Sequence, residues 1–411
     1  MRRTNVFTNL IILAIFLSGF ADAFRRFPSI MISLQGLLTI LAAISSWFLI
    51  LAQGRISKLV STAPLLIAFI VIGLINLVFS SSTTANFIAG FQNLSVYMAF
   101  VGFLILATSE SSKNLDAVRQ IGGALSFTFK MSAVLYGFSI LVGGPQSALI
   151  MGPRSFALFI ILGSAWFLSL WRCRMTGGLF WFFYIELVLA LSFSRMATVI
   201  SILLFPISQA SFKSPKDIAR IFGMVALISI IAWGAFTYIE PIRNRFTSQG
   251  DSAQIAGIKV NTSGRAEFWE PIYTSAMESP LFGKGAGSVA EVVLSVNRTT
   301  GGHPHNDYLR IFHDFGILGF MLWIFGYFGL VLKTLRNWLR ADEKGERAAQ
   351  VHLAAFLALL AIALAMLTDN VIVYVFSMTP LGVLVGLSLG VRKHKAKRAK
   401  LVKTRAQEIY T

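Results

Sequence analysis

Apolar residues in this chain fall in long unbroken blocks, with no strict alternation and no narrow helical stripe. Twelve blocks stand out, at approximately 6–22, 30–51, 59–79, 87–108, 121–142, 155–171, 177–192, 195–211, 218–237, 317–333, 350–368 and 371–391. A helix of about 20 such residues crosses a hydrocarbon core about 30 Å thick. Inside a bilayer every backbone polar group needs a partner within the segment, which selects helices. The pattern predicts an all-α, polytopic transmembrane bundle of about 12 spans. The single long polar interruption, 238–316, predicts a large and mainly helical loop. The domain reading is nine helices over 1–237, the loop, three more helices over 317–391, and a basic tail over 392–411.

Composition agrees with that class: 55% of the 411 residues are hydrophobic and 13% charged, against about 25% charged in a soluble domain. The net charge of +18 would suit nucleic acid if it lay on one surface, but its placement argues otherwise. With a cytoplasmic N-terminus, the inner loops and termini hold 24 of the 36 Lys and Arg residues. The short outer loops hold Arg25, Arg26, Arg154 and Arg195. Seven basic residues lie in the long loop against eight acids, and Lys130 lies within a span. That asymmetry sets orientation in membrane proteins, and it puts the 238–316 loop on the non-cytoplasmic face.

Met1-Arg2-Arg3, the apolar run and Ala21-Asp22-Ala23 also fit a cleavable signal peptide; a retained first helix is preferred, and the second span runs inward either way. The lone Cys173 excludes an intramolecular disulfide and a cysteine metal cluster and reads as structural. The eight basic residues of 392–405 read as the solvated positive end that fixes the last helix, with anionic lipid as the surface such a tail would touch.

Within the loop, a helix is expected from about Arg265 to Glu278, capped by Ser263 or Gly264 and stopped by Pro280. Gly283, Gly285 and Gly287 then make a turn that lacks the spacing of a phosphate loop. A second helix is expected from near His305 to about Gly316, leading into the tenth span.

The loop holds three of the five histidines. Imidazole, with an unperturbed pKa of about 6.5, suits proton abstraction near neutrality, and His305 is the candidate base. His303, His305 and His313 are an alternative set of metal ligands, but the loop has no third ligand at standard spacing, so no metal is expected. Glu267 and Glu270, three apart on a helix, read as a solvated face rather than a glycosidase pair. Arginine near hydrocarbon either snorkels or meets an anion, and its planar fork suits phosphate oxygens. Arg25 and Arg26 read as snorkelling; Arg154, Arg195 and Arg265 are the anion candidates. Lys130 and Glu186, near mid-depth, are a possible mutual pair, and Asp369 sits at the turn between the last two helices beside Asn370.

Three segments of this loop, taken together, resemble the O-antigen ligase and O-antigen polymerase superfamily of bacterial inner membranes. They are Arg265-Ala266-Glu267-Phe268-Trp269, Pro280-Leu281-Phe282-Gly283-Lys284-Gly285, and His305-Asn306-Asp307-Tyr308-Leu309 followed by Gly316 and Gly319. Ser192-Phe193-Ser194-Arg195 is similar to the family's Ser-Arg motif, and Gly152-Pro153-Arg154 to a further basic outer position.

The resemblance implies transfer of a glycan from undecaprenyl diphosphate to a sugar hydroxyl at the periplasmic face of the inner membrane. It implies catalytic roles for His305, Arg265 and Arg195, and substrate contacts for Arg154, Asn306 and Asp369. No cofactor and no nucleic acid enter; the partners are the lipid-linked glycan, a lipid A-core or growing glycan acceptor, and the bilayer. The single large loop favours ligation to lipid A-core over polymerisation. The rival class is a transporter or flippase, for which Lys130 and Glu186 would be the working groups.

Overall fold

A computed structural model describes residues 6–20, 34–52, 54, 61–80, 84–144, 151–210, 215–238, 240, 252–255, 258–261, 265–297 and 302–410. Arg25, Arg26, the 21–23 stretch and the cap positions Ser263 and Gly264 lie outside the described residues.

The described residues are helical, with one small hairpin. Among them nine helices come first: α1 (Val6–Phe20), α2 (Leu34–Ala52), α3 (Pro64–Ser80), α4 (Thr84–Lys113), α5 (Leu115–Gly143), α6 (Pro153–Arg172), α7 (Gly178–Leu191), α8 (Arg195–Ser208) and α9 (Pro215–Tyr238). The polar segment contributes β1 (Ser252–Ile255), β2 (Ile258–Asn261), α10 (Ala266–Ala276) and α11 (Val289–Val296). The chain closes with α12 (Asp307–Glu343), α13 (Ala349–Ala365) and α14 (Val375–Tyr410).

Each of the twelve apolar blocks coincides with a helix. Five stretches are long and apolar enough to cross a membrane: Phe87–Lys113, Leu115–Gly143, Pro153–Arg172, Asp307–Glu343 and Val375–Arg392. Six further apolar helices are shorter. This is a multi-pass membrane protein.

α6, α13 and the first half of α14 are apolar all round and enclosed by their neighbours, whereas α3, α5 and α9 turn Phe79, Leu141 and Trp233 outward. A helix that is apolar on every side belongs in the middle of such a bundle. α14 packs along α4 through Gly382, Gly386 and Gly390, where a Cβ would run into Phe100 O, Leu104 O and the Ser111 side chain. Small residues four apart let two backbones approach closely, which replaces the hydrophobic drive that lipid removes.

Four local features differ from the sequence reading. The antiparallel hairpin, with Ser252 opposite Asn261 and Ile255 opposite Ile258, and the eight-residue α11 were not foreseen; both are too short to generate a periodic signal. α12 continues to Glu343, past the end of the 317–333 span, and the basic tail continues α14 as helix. The expected end of the loop helix near Gly316 holds: that residue has φ 64 and ψ −169, and it breaks α12 into a loop part and a bundle part.

At the end of the bundle away from the polar segment, Arg172 pairs with Asp342 at 3.0 Å, joining α6 to α12. Cys173 ends α6 there, half-buried.

Candidate active site

Two glycine-bearing segments build the platform. The 280–285 turn lies against the break in α12: Ile317 N donates to Pro280 O at 2.8 Å, Lys284 N to His313 O at 2.9 Å, and Gly285 N to Asp314 O at 3.1 Å. Both chains pass so closely that a Cβ on Gly283 would strike Asp314 O and one on Gly316 would strike Leu281 O; both have positive φ. Only glycine tolerates that combination. Asn76 of α3 fixes the turn to the bundle, donating to Phe282 O at 3.1 Å and accepting from Ala286 N at 2.7 Å. Asp314 accepts from Gly287 N and Val289 N and so starts α11. His313 is buried beneath this platform with Ser275, Ser288 and Asp314. It is a structural cross-link.

His305 is one of three non-glycine residues with positive φ among the described residues, at 55°. A histidine in that conformation is uncommon and needs surrounding support. Trp269 of α10 donates to Pro304 O at 3.2 Å. The His305 N–H donates to Asn370 Oδ1 at 2.9 Å, and Asp307 N to Met366 O at 2.9 Å. The buried Asp307 carboxylate accepts from Val371 N and Ile372 N at 2.6 and 3.0 Å. Arg310, also buried, lies 3.4 Å from Asp307 and donates to Asn370 Oδ1 at 3.1 Å. The start of α12 is thus tied to the turn before α14.

Asp307, Arg310 and Asn370 were not singled out from sequence. The signal available was the Asp307-x-x-Arg310 spacing, which places both on one helical face. Asn306 uses its side-chain oxygen to cap α12, accepting from Leu309 N at 3.0 Å, so that part of its expected substrate contact gives way to a structural role. His303 lies 3.3 Å from Arg310 and meets the Tyr374 ring.

The polar centre gathers residues from four parts of the chain. Arg154 Nη2 lies 2.9 Å from His305 Nδ1 and also donates to Asp369. His305 Nδ1 and Asp369 Oδ1 are 3.7 Å apart, and Asn370 Nδ2 is 3.3 Å from the same ring nitrogen. Arg265 donates to Thr368 O at 2.5 Å, on the turn that carries Asp369. Arg265 also feels the charges of Arg154 and Arg195.

Each of these arginines opens a helix: Arg154 is the second residue of α6, Arg195 the first of α8, and Arg265 the N-cap of α10. The N-terminus is the positive end of the helix dipole, where a cation is unfavourable and an anion favoured. Phe193, just before Arg195, is a second strained residue, with φ 56.

Titration follows from that crowding. Burial pushes the His305 pKa below its ordinary 6.5, and Arg154 and Arg265 push the same way against the nearby Asp369 carboxylate. Burial also lowers Arg265, with Arg154 and Arg195 adding to it against Asp369. Asp369 is raised by burial but held below the carboxylate range by the neighbouring His305 and the Arg154 and Arg265 charges. The centre therefore presents an ionised carboxylate, a neutral imidazole and several guanidiniums.

Other expectations fare differently. Glu267 and Glu270 are exposed, as a solvated face requires. Lys130 and Glu186 do not pair: Lys130 lies 5.2 Å from the centre of the Trp181 ring, and Glu186 accepts from Ser201 and Ser164. Among the described residues, no three of His, Cys, Asp and Glu stand together as metal ligands.

Residues 179–324 match the family model described as O-antigen ligase. That match supports the O-antigen ligase superfamily for this part of the chain. No curated protein matches the chain. The ligase-family segment spans Arg195, Arg265 and His305, and it supports a glycosyltransferase of the O-antigen ligase or polymerase kind. Arg154, Asp369 and Asn370, which touch His305 directly, lie outside it.

Proposed function

We propose that the protein transfers a glycan from undecaprenyl diphosphate to a sugar hydroxyl at the periplasmic face of the bacterial inner membrane, most specifically O-antigen to lipid A-core. The observation that carries this reading is the meeting of Arg154 with His305 and Asp369, with Arg265 bonded to the same turn and within reach of the Arg195 charge. Two phosphates would meet both guanidinium forks and helix dipoles there.

In the reaction, the acceptor oxygen bonds to C1 of the donor sugar and the C1–O bond to the diphosphate breaks. The bonding electrons leave with polyprenyl diphosphate, and the acceptor proton passes to Nε2 of His305. Attack from the face opposite the leaving group inverts C1. Arg195 and Arg265 stabilise the charge that develops on the departing diphosphate, where fixed donors act without reorganisation. Arginines fill the role that a divalent ion has in many glycosyltransferases, so turnover needs no added metal.

An apolar groove of about 310 Å3 on the flank of the bundle suits the polyprenyl chain. It is lined by Leu10, Leu13, Leu17, Leu41, Phe103 and Val375, the last at the start of α14, which follows the turn carrying Asp369.

The test is transfer by purified protein from a polyprenyl-diphosphate glycan to lipid A-core, with and without chelator. Product in both conditions supports the reading. Glycan elongation without lipid A-core acceptance indicates a polymerase, and no transfer to any hydroxyl rejects the enzyme.

A further inference from the structure

Arg154 stands between the base and its carboxylate. Its Nη2 is 2.9 Å from His305 Nδ1 and also bonds Asp369, while the direct Nδ1–Oδ1 separation is 3.7 Å, too long for a hydrogen bond. A guanidinium has only donors and stays charged. The ring nitrogen that faces it must offer its lone pair.

Asn370 favours the same state more weakly, through a longer neutral contact of 3.3 Å that the charged Asp369 acceptor outweighs once the guanidinium has left. Asn370 Oδ1 already accepts from the His305 N–H and from Arg310, which fixes the amide so that Nδ2 faces Nδ1. With Nδ1 an acceptor, the neutral ring carries its proton on Nε2. A ring in that tautomer cannot take a proton at Nε2, and Nδ1 is covered. The arrangement seen is a resting one.

Two features say what releases it. Arg154 Nε is buried without a hydrogen-bond partner among the described residues, so the fork has an unused arm. The Arg154 side chain is 38% exposed against 4% for Asp369, so it can swing while the carboxylate stays.

We infer that Arg154 is a positioning residue that couples donor occupancy to the tautomer of His305: an arriving diphosphate draws the guanidinium out of the gap, and Asp369 then accepts Nδ1–H. The ring proton leaves Nε2 and Nδ1 gains one by exchange with water, so the lone pair comes to Nε2, facing the acceptor. No hydroxyl, from sugar or from water, is deprotonated at His305 until a diphosphate is in place. Donor binding precedes acceptor activation. This rests on the diphosphate-transferase reading above.

The test reads the tautomer directly, by nitrogen NMR of full-length protein labelled at histidine, with His305 assigned by His305→Gln. Farnesyl diphosphate is the probe, and its binding is measured separately by calorimetry. Without probe, Nδ1 is expected bare and Nε2 protonated; with saturating probe the two exchange. Arg154→Met is expected to show Nδ1 protonated without any probe, and Arg154→Leu serves if that variant folds poorly. Probe that binds with no change at His305 overturns the coupling and leaves the transferase reading intact. Probe that fails to bind overturns the donor site itself. An Arg154 variant that keeps the proton on Nε2 overturns the coupling in either case.

Discussion

Asn370 holds His305 at two points, accepting its backbone N–H at 2.9 Å and placing an amide nitrogen 3.3 Å from Nδ1. One side chain thereby fixes both the strained backbone and the ring of the base. Asn370→Ala should lower kcat by about 10- to 100-fold, the cost of about 1–3 kcal/mol for stranding buried polar groups. KM for the donor should change little. A loss confined to KM would show that Asn370 contacts substrate instead.

His305 sets the acid limb of the pH profile. The base works only when neutral, so activity falls as pH drops through its pKa. Burial, with Arg154 and Arg265 behind it, puts that pKa below the ordinary 6.5, and the limb in kcat/KM should inflect below that value. Arg265→Gln removes one of the lowering charges and should move the limb upward. His305→Ala should cost about 10²–10⁴ in turnover with donor binding kept. A limb unmoved in Arg265→Gln would separate that arginine from the base.

Replacing Arg195 or Arg265 by Lys keeps the charge and loses the planar fork. Donor binding should weaken in both, and turnover should fall as well, because binding to the leaving diphosphate grows as the C1–O bond breaks. Calorimetry with a non-hydrolysable donor and kinetics with the true one separate the two effects. Unchanged donor affinity in both variants would remove the diphosphate from these arginines.

Gly283 and Gly316 face each other's chains, so each substitution breaks the same contact. Gly316→Ala should destabilise by more than the roughly 1–2 kcal/mol of a left-handed alanine, because Leu281 O occupies the Cβ position. The Gly283→Ala, Gly316→Ala double variant should cost less than the sum of the singles. Thermal unfolding in detergent reads both.

Filling the flank groove tests its occupant. Leu17→Trp should raise KM for a long-chain polyprenyl donor at least severalfold while leaving a short-chain diphosphate donor unaffected. An equal effect on both donors would place the lipid elsewhere.

Hydropathy by itself determined the helices, because a bilayer demands apolar length and self-satisfied backbone, and both are local properties of the chain. The same local logic located the break at Gly316 and the helix that carries Arg265. It also marked His305, since a titratable ring beside a glycine-rich turn is visible in sequence. The partners of that ring were a different matter. Arg154 lies 151 positions away and Asn370 65 positions away, and only the packing of α6 and α14 against the loop brings them to it. Lys130 and Glu186 mark the limit from the other side: similar depth suggested a pair, but depth does not fix which face of a helix a side chain occupies. The tertiary structure turned one toward Trp181 and the other toward Ser201. Sequence periodicity sets how far along a helix a residue lies; which neighbour it meets is decided by how the helices pack.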